Sequence, residues 1–78
     1  MYPINSEKAI RLAESQNKII FVVNRKANKK QIKEEFEKEF GVIVSKVNTL
    51  INKKGEKVAY ITIKENQAMD IASKLGMI

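Results

Sequence analysis

The side chains best placed to do chemistry in this chain are cations. Between Asn24 and Lys33 stand Arg25, Lys26, Lys29, Lys30 and Lys33 with no acid among them. A second stretch sets Lys53, Lys54 and Lys57 against Glu56 alone. Ammonium and guanidinium groups in such runs neutralise phosphates and release condensed counterions. The first stretch runs off a strand end, through a loop and into a helix start, where unpaired N–H groups also bind phosphate. Lys29 and Lys30 fall in that first helical turn. There the helix dipole disfavours cations by roughly 0.3 kcal/mol or more, a cost that an external anion would offset. On composition alone, solubilising charge around a loop weighs about the same as a binding role. The second stretch has the same two readings, because charged hairpin tips also guard exposed strand edges.

Shorter-range contacts have candidates too. Asn48 and Thr49 can hydrogen-bond RNA sugar, phosphate or base edges, and the Tyr60 ring can stack a base. Polar residues on a wet strand face, and a lone strand tyrosine with a solvated hydroxyl, are nevertheless ordinary. Phe21, Phe36 and Phe40 read as core, so no row of exposed aromatics exists for a single-strand reader. Recognition of backbone and shape in folded RNA fits better. An anionic membrane surface is the other polyanion that a basic domain of this size favours.

The rest of the composition removes whole classes of chemistry. The chain has 78 residues, and 15 Lys plus Arg against 9 Asp plus Glu leave a formal charge of +6. It contains no cysteine and no histidine. That excludes disulfides, thiolate nucleophiles, cysteine zinc sites and every Ser-His or Cys-His pair. Asp70 is the sole aspartate, and it falls in the last helix. Glu34, Glu35, Glu37 and Glu39 cluster, but on a helix whose Glu–Lys-rich side is expected to be solvated. No glycine pattern cradles a phosphate, and no loop spacing suits a hard metal ion. The expectation is therefore a protein that is not an enzyme, with no cofactor and no small-molecule substrate. A deep recess around Glu35 and Glu39 would speak for catalysis. The longest apolar run, Ile19 to Val23, is far short of the roughly 20 residues of a membrane span. Met1 to Asn5 lack the features of a secretory signal. A small, soluble, intracellular domain over residues 1–78 is expected.

These residues need elements to position them. Ser6 suits the cap of a first helix with Ala9, Leu12 and Ala13 on one stripe, ending at Gln16 and Asn17. Lys18 to Arg25 reads as a strand, and its unbroken apolar run implies cover on both faces, as in a central strand. Asn28 caps a second helix with Ile32, Phe36 and Phe40 on its stripe and Gly41 at its end. On its wet face, Lys30 with Glu34 and Lys33 with Glu37 stand at ion-pair spacing. Val42 to Asn52 reads as the next strand, with Val47, Thr49 and Ile51 opposite Lys46, Asn48 and Leu50. A turn at Lys53-Lys54-Gly55-Glu56 leads to a return strand, Lys57 to Lys64. Ala68, Ile71, Ala72 and Leu75 line a last helix closed by Gly76. Met69, Met77 and Ile78 are candidates for adaptable protein contacts or for a frayed end. The fold class is α+β: a small, mostly antiparallel sheet of three to four strands with helices packed on it, in the order helix-strand-helix-strand-strand-helix. Tyr2 to Ile4 can add an edge strand. Whether Lys18–Arg25 and Val42–Asn52 run parallel or antiparallel stays open.

Several segments in this order resemble a known family. They are Ser6-Glu7-Lys8-Ala9, Ala27-Asn28-Lys29-Lys30-Gln31-Ile32-Lys33, Val47-Asn48-Thr49 and Gly55-Glu56-Lys57-Val58-Ala59-Tyr60-Ile61. Together they resemble the universal large-subunit ribosomal proteins of the L-twenty-three family, from about Pro3 to Ile78. The resemblance implies a structural constituent of the large subunit in the cytoplasmic ribosome, bound to large-subunit ribosomal RNA near the polypeptide exit tunnel. Neighbouring ribosomal proteins would be further partners. So would factors that receive the nascent chain: the signal recognition particle, the translocon and, in bacterial relatives, trigger factor. Lys8, Arg25, Lys26, Lys29, Lys30, Lys53, Lys54 and Lys57 would then meet RNA phosphates, with Asn48, Thr49 and Tyr60 at shorter range. Glu14 aligns with the acidic position that the family uses for factor docking. Relatives usually carry two adjacent basic residues before the Ala-Tyr pair, whereas here Lys57 is followed by Val58. Bacterial relatives extend the hairpin into the tunnel; this short turn is of the archaeal or eukaryotic type. The rival reading is a protein-interaction adaptor that docks through Glu14 and the outer helices without binding RNA. Salt separates the two, since only the RNA reading predicts affinity falling steeply as salt rises.

Overall fold

A computed structural model describes residues 2–64 and 68–76. Seven elements follow one another: β1 (Tyr2–Pro3), α1 (Glu7–Gln16), β2 (Lys18–Val23), α2 (Lys29–Phe40), β3 (Val44–Ile51), β4 (Lys57–Ile63) and α3 (Ala68–Lys74). The strands form one sheet in the order β1-β2-β4-β3, and every neighbouring pair is antiparallel. β2 and β3 therefore point the same way, but β4 lies between them. The orientation left open by the sequence is parallel, through a split unit.

Local chemistry places the helix ends. The Ser6 hydroxyl accepts the Ala9 N–H at 3.1 Å. Asn28 and Gln31 bond each other's backbone N–H in a full capping box. Gly41 ends α2 at φ 66° and donates its N–H to the Glu37 carbonyl. α1 ends on Asn17, which holds the left-handed conformation at φ 56° without being glycine. Its amide explains why: it donates to the Ile63 carbonyl and accepts the Ala68 N–H, joining α1, β4 and α3 at one point. Asn17→Gly keeps the backbone conformation but deletes both bonds. A destabilisation of about 1–3 kcal/mol is expected, read as a shifted urea midpoint.

Both faces of the sheet are covered. Ile19, Ile20 and Phe21 are all buried, although successive strand residues point to opposite faces. The Phe21 ring lies 5.4 Å from Phe36, edge to face, and 6.3 Å from Phe40. Its face is therefore the one under α2, shared with Val23, Ala59, Ile61 and Val47 by register. α1 packs on β2 and on α3, covering Ile20 on the other side. Ile32 and Phe36 of α2, Ala9 and Ala13 of α1, and Ile71 and Ala72 of α3 complete the core.

Some boundaries differ from the pattern. The second strand stops at Val23, not Arg25, because the Asn24 side chain accepts the Lys26 N–H and turns the chain. The third strand starts at Val44, whose N–H is taken by the Glu37 carboxylate at 2.9 Å. Glu37 is thus half-buried and structural rather than part of a wet face. Neither Lys30–Glu34 nor Lys33–Glu37 forms: among the described residues the single ion pair is Arg11–Glu7. A bulge between Val44 and Lys46 shifts the phase by one residue, so that Val44 and Val47 both reach the core. Met69 is half-buried against the core; Met77 and Ile78 lie outside the described residues.

Candidate nucleic-acid interface

The register brings the two basic stretches to the same end of the sheet. Val23, the last residue of β2, and Ile51, the last of β3, both pair with Lys57, the first of β4. The loop 24–28, the start of α2 and the hairpin tip 52–56 therefore adjoin. Lys57 joins them directly, since its Nζ donates to the Ala27 carbonyl at 2.6 Å. Arg25, Lys26, Lys29, Lys30, Lys53 and Lys54 are all exposed at this end. α2 has no acid in its first turn, and among the described residues none of these cations pairs with a carboxylate. Like charges gathered without partners raise the potential there, which an approaching polyanion lowers.

The tip is held rigid by its own side chains. Asn52 Oδ1 accepts the Lys54 and Glu56 N–H groups, each at 3.0 Å. Gly55 closes the turn at φ 79°, a conformation open to glycine at little cost. Glu56 accepts the Asn52 amide at 3.1 Å and the Tyr2 hydroxyl at 2.8 Å. These two bonds hold its carboxyl below the usual range, Asn52 contributing most. The same contact pushes the Tyr2 phenol up, chiefly because ionisation would break the bond to Glu56. A raised acid pKa means that the clasp contributes below the ordinary tyrosine value of about 10 and is lost as pH climbs through the folded value. In a Tyr60→Phe background, the ultraviolet titration of Tyr2 is expected above that value. Glu56→Gln should move it back down; an unshifted titration would contradict the clasp.

The other candidates separate. Asn48 and Tyr60 face each other across β3 and β4 on one side of the sheet, both half-buried. Thr49 pairs with Ala59 on the opposite side, the one under α2. Lys57 is half-buried with part of its donor capacity already used. Val58 is 3% exposed, so a second cation at that position would be buried. Lys8 is exposed in the first turn of α1, a helix that packs on β2 and α3, on the sheet face opposite α2. Glu14 is exposed in the last turn of α1, towards the end of the sheet opposite the hairpin. Glu35 borders a recess with Val23, Asn24, Ala27 and Ile32. Glu39 is not among its lining residues, and among the described residues no second carboxylate lines it beside Glu35, so no acid–base pair is assembled there. The residue that sequence reasoning missed is Tyr2, which is 53% exposed beside the tip. A single terminal tyrosine carries no local signal of that placement.

Residues 1–71 match the family described as Ribosomal protein L23. The chain is 57% identical to the large ribosomal subunit protein uL23 of Pyrobaculum aerophilum over 74 residues, 94% of this chain and 91% of that protein.

Proposed function

Because the chain belongs to the Ribosomal protein L23 family, we propose that its hairpin end grips large-subunit ribosomal RNA near the polypeptide exit, mainly through phosphates. Membership makes it a structural constituent of the large subunit, a ribonucleoprotein component of translation in the cytoplasm. The observation that supports the RNA contact is the convergence of two cation stretches, distant in sequence, on one end of the sheet. Arg25, Lys26, Lys29, Lys30, Lys53 and Lys54 meet phosphates, and the first N–H groups of α2 add to the field. Asn48 and Tyr60 make the shorter contacts from the adjoining sheet face; Thr49 approaches from the α2 side. Lys57 acts chiefly by fixing the loop, and Lys8 reaches RNA from the first turn of α1. Glu14, at the far end of α1, remains open to the signal recognition particle and the translocon once the hairpin end is occupied.

Filter binding to deproteinised large-subunit ribosomal RNA over 50–400 mM salt tests the proposal. A linear log–log fall in affinity is expected, its slope near the number of phosphates neutralised. Recovery of protein partners with salt-independent affinity and no large-subunit RNA would favour the adaptor reading instead.

A further inference from the structure

A cleft opens between β1 and the hairpin tip, and the phosphate reading above does not use it. Tyr2, Pro3 and Val22 line it with apolar surface, and Asn5, Lys53 and Lys54 also border it. The register explains its position. Tyr2 pairs with Val22 and shares its side of the sheet, while its hydroxyl reaches past β2 to Glu56 at the foot of the hairpin. That bond fixes the ring beside the tip without hiding it, leaving the residue 53% exposed. Among the described residues, Glu56 is the one carboxylate lining the cleft. Both its oxygens already accept bonds, from Tyr2 and Asn52.

We propose that this cleft receives one unstacked nucleotide of the ribosomal RNA, its base against the Tyr2 ring and its phosphate between Lys53 and Lys54. Aromatic faces stack any base, and neighbouring lysines take the phosphate of the same or the adjoining nucleotide. Charge selects the occupant: the tip and the adjoining loop present Arg25, Lys26, Lys53 and Lys54 unpaired among the described residues, which suits a polyanion and disfavours a basic peptide. Extruding a base from a paired helix is costly, so the nucleotide comes from a bulge or loop. The clasp on Glu56 orders the ring in advance, so that little freedom is lost on binding.

This inference rests on the RNA reading, and the two fail differently. Binding of the full chain to deproteinised large-subunit ribosomal RNA is compared for the wild type, Tyr2→Ala, Tyr2→Phe and Lys53→Gln/Lys54→Gln, each checked for an unchanged circular dichroism melt. Tyr2→Ala should weaken affinity roughly 5- to 100-fold with an unchanged salt slope, since no phosphate contact is lost. Tyr2→Phe keeps the ring and should bind within a few-fold of wild type. Lys53→Gln/Lys54→Gln should lower the slope by about two. Ultraviolet cross-linking should join Tyr2 to one nucleotide, located by mass spectrometry. If Tyr2→Ala binds as wild type does while the lysine variant loses slope, the cleft proposal is overturned and the RNA reading stands. A cross-link from Tyr2 to a neighbouring protein in the intact subunit also overturns it. Salt-independent wild-type binding removes both.

Discussion

Phe36→Ala is expected to leave the chain largely unfolded at 37 °C. Phe36 is fully buried and stands between two other rings, Phe21 at 5.4 Å and Phe40 at 4.6 Å. Truncating a buried phenylalanine costs about 3–5 kcal/mol, because transfer energy is lost and a cavity remains. A domain of this size has total stability of roughly the same magnitude. Each kcal/mol lowers the melting temperature of such a domain by about 4–8 °C, so a fall of more than about 12 °C follows. Phe40→Ala, at a half-buried position, should cost less. The consequence reaches the interface, because Phe36 is what presses α2 onto the sheet. Lys29, Lys30 and the loop before them are placed by that helix. A melt shifted by only a few degrees would show that another contact holds α2 down.

Much of this architecture can be read from local pattern. Ser6, Asn28 and Gly41 mark helix ends through bonds made within four residues. The unbroken run Ile19–Val23 announces cover on both faces, and α2 on one side with α1 on the other supplies it. Features that depend on distant partners are another matter. The strand order could not be read, because a helix joining β2 to β3 is equally compatible with β4 outside or between them. Asn17 reads as a plain helix end, yet its partners lie 46 and 51 residues away. Glu37 has the spacing of a solvated surface acid; its role appears once β3 returns beneath α2. The same limit governs the site. The two cation stretches are plain in the chain, but their adjacency depends on register, and the register also carries Thr49 away from Asn48. Tyr2 gains its place from a carboxylate 54 residues downstream, which no window on the sequence contains.

The variant Arg25→Gln/Lys26→Gln/Lys53→Gln/Lys54→Gln removes two cations from each loop and is expected to have the largest effect on RNA affinity. All four side chains are exposed. The loops are shaped by backbone N–H groups that donate to the Asn24 and Asn52 side chains, so those bonds survive the change and the fold should hold. Each lost phosphate contact lowers the log–log salt slope by about one. Four together would weaken binding at 100 mM salt by roughly three to four orders of magnitude from counterion release alone. The two salt curves should then converge towards 1 M, where that contribution vanishes. Lys38→Gln/Lys64→Gln is the counterpart: it removes two exposed cations at the opposite end, in the last turn of α2 and just beyond β4. If position decides, this pair leaves the slope unchanged although the net charge also falls. If the slope instead follows net charge wherever it is removed, binding is a property of a basic molecule as a whole, and the hairpin end has no special standing.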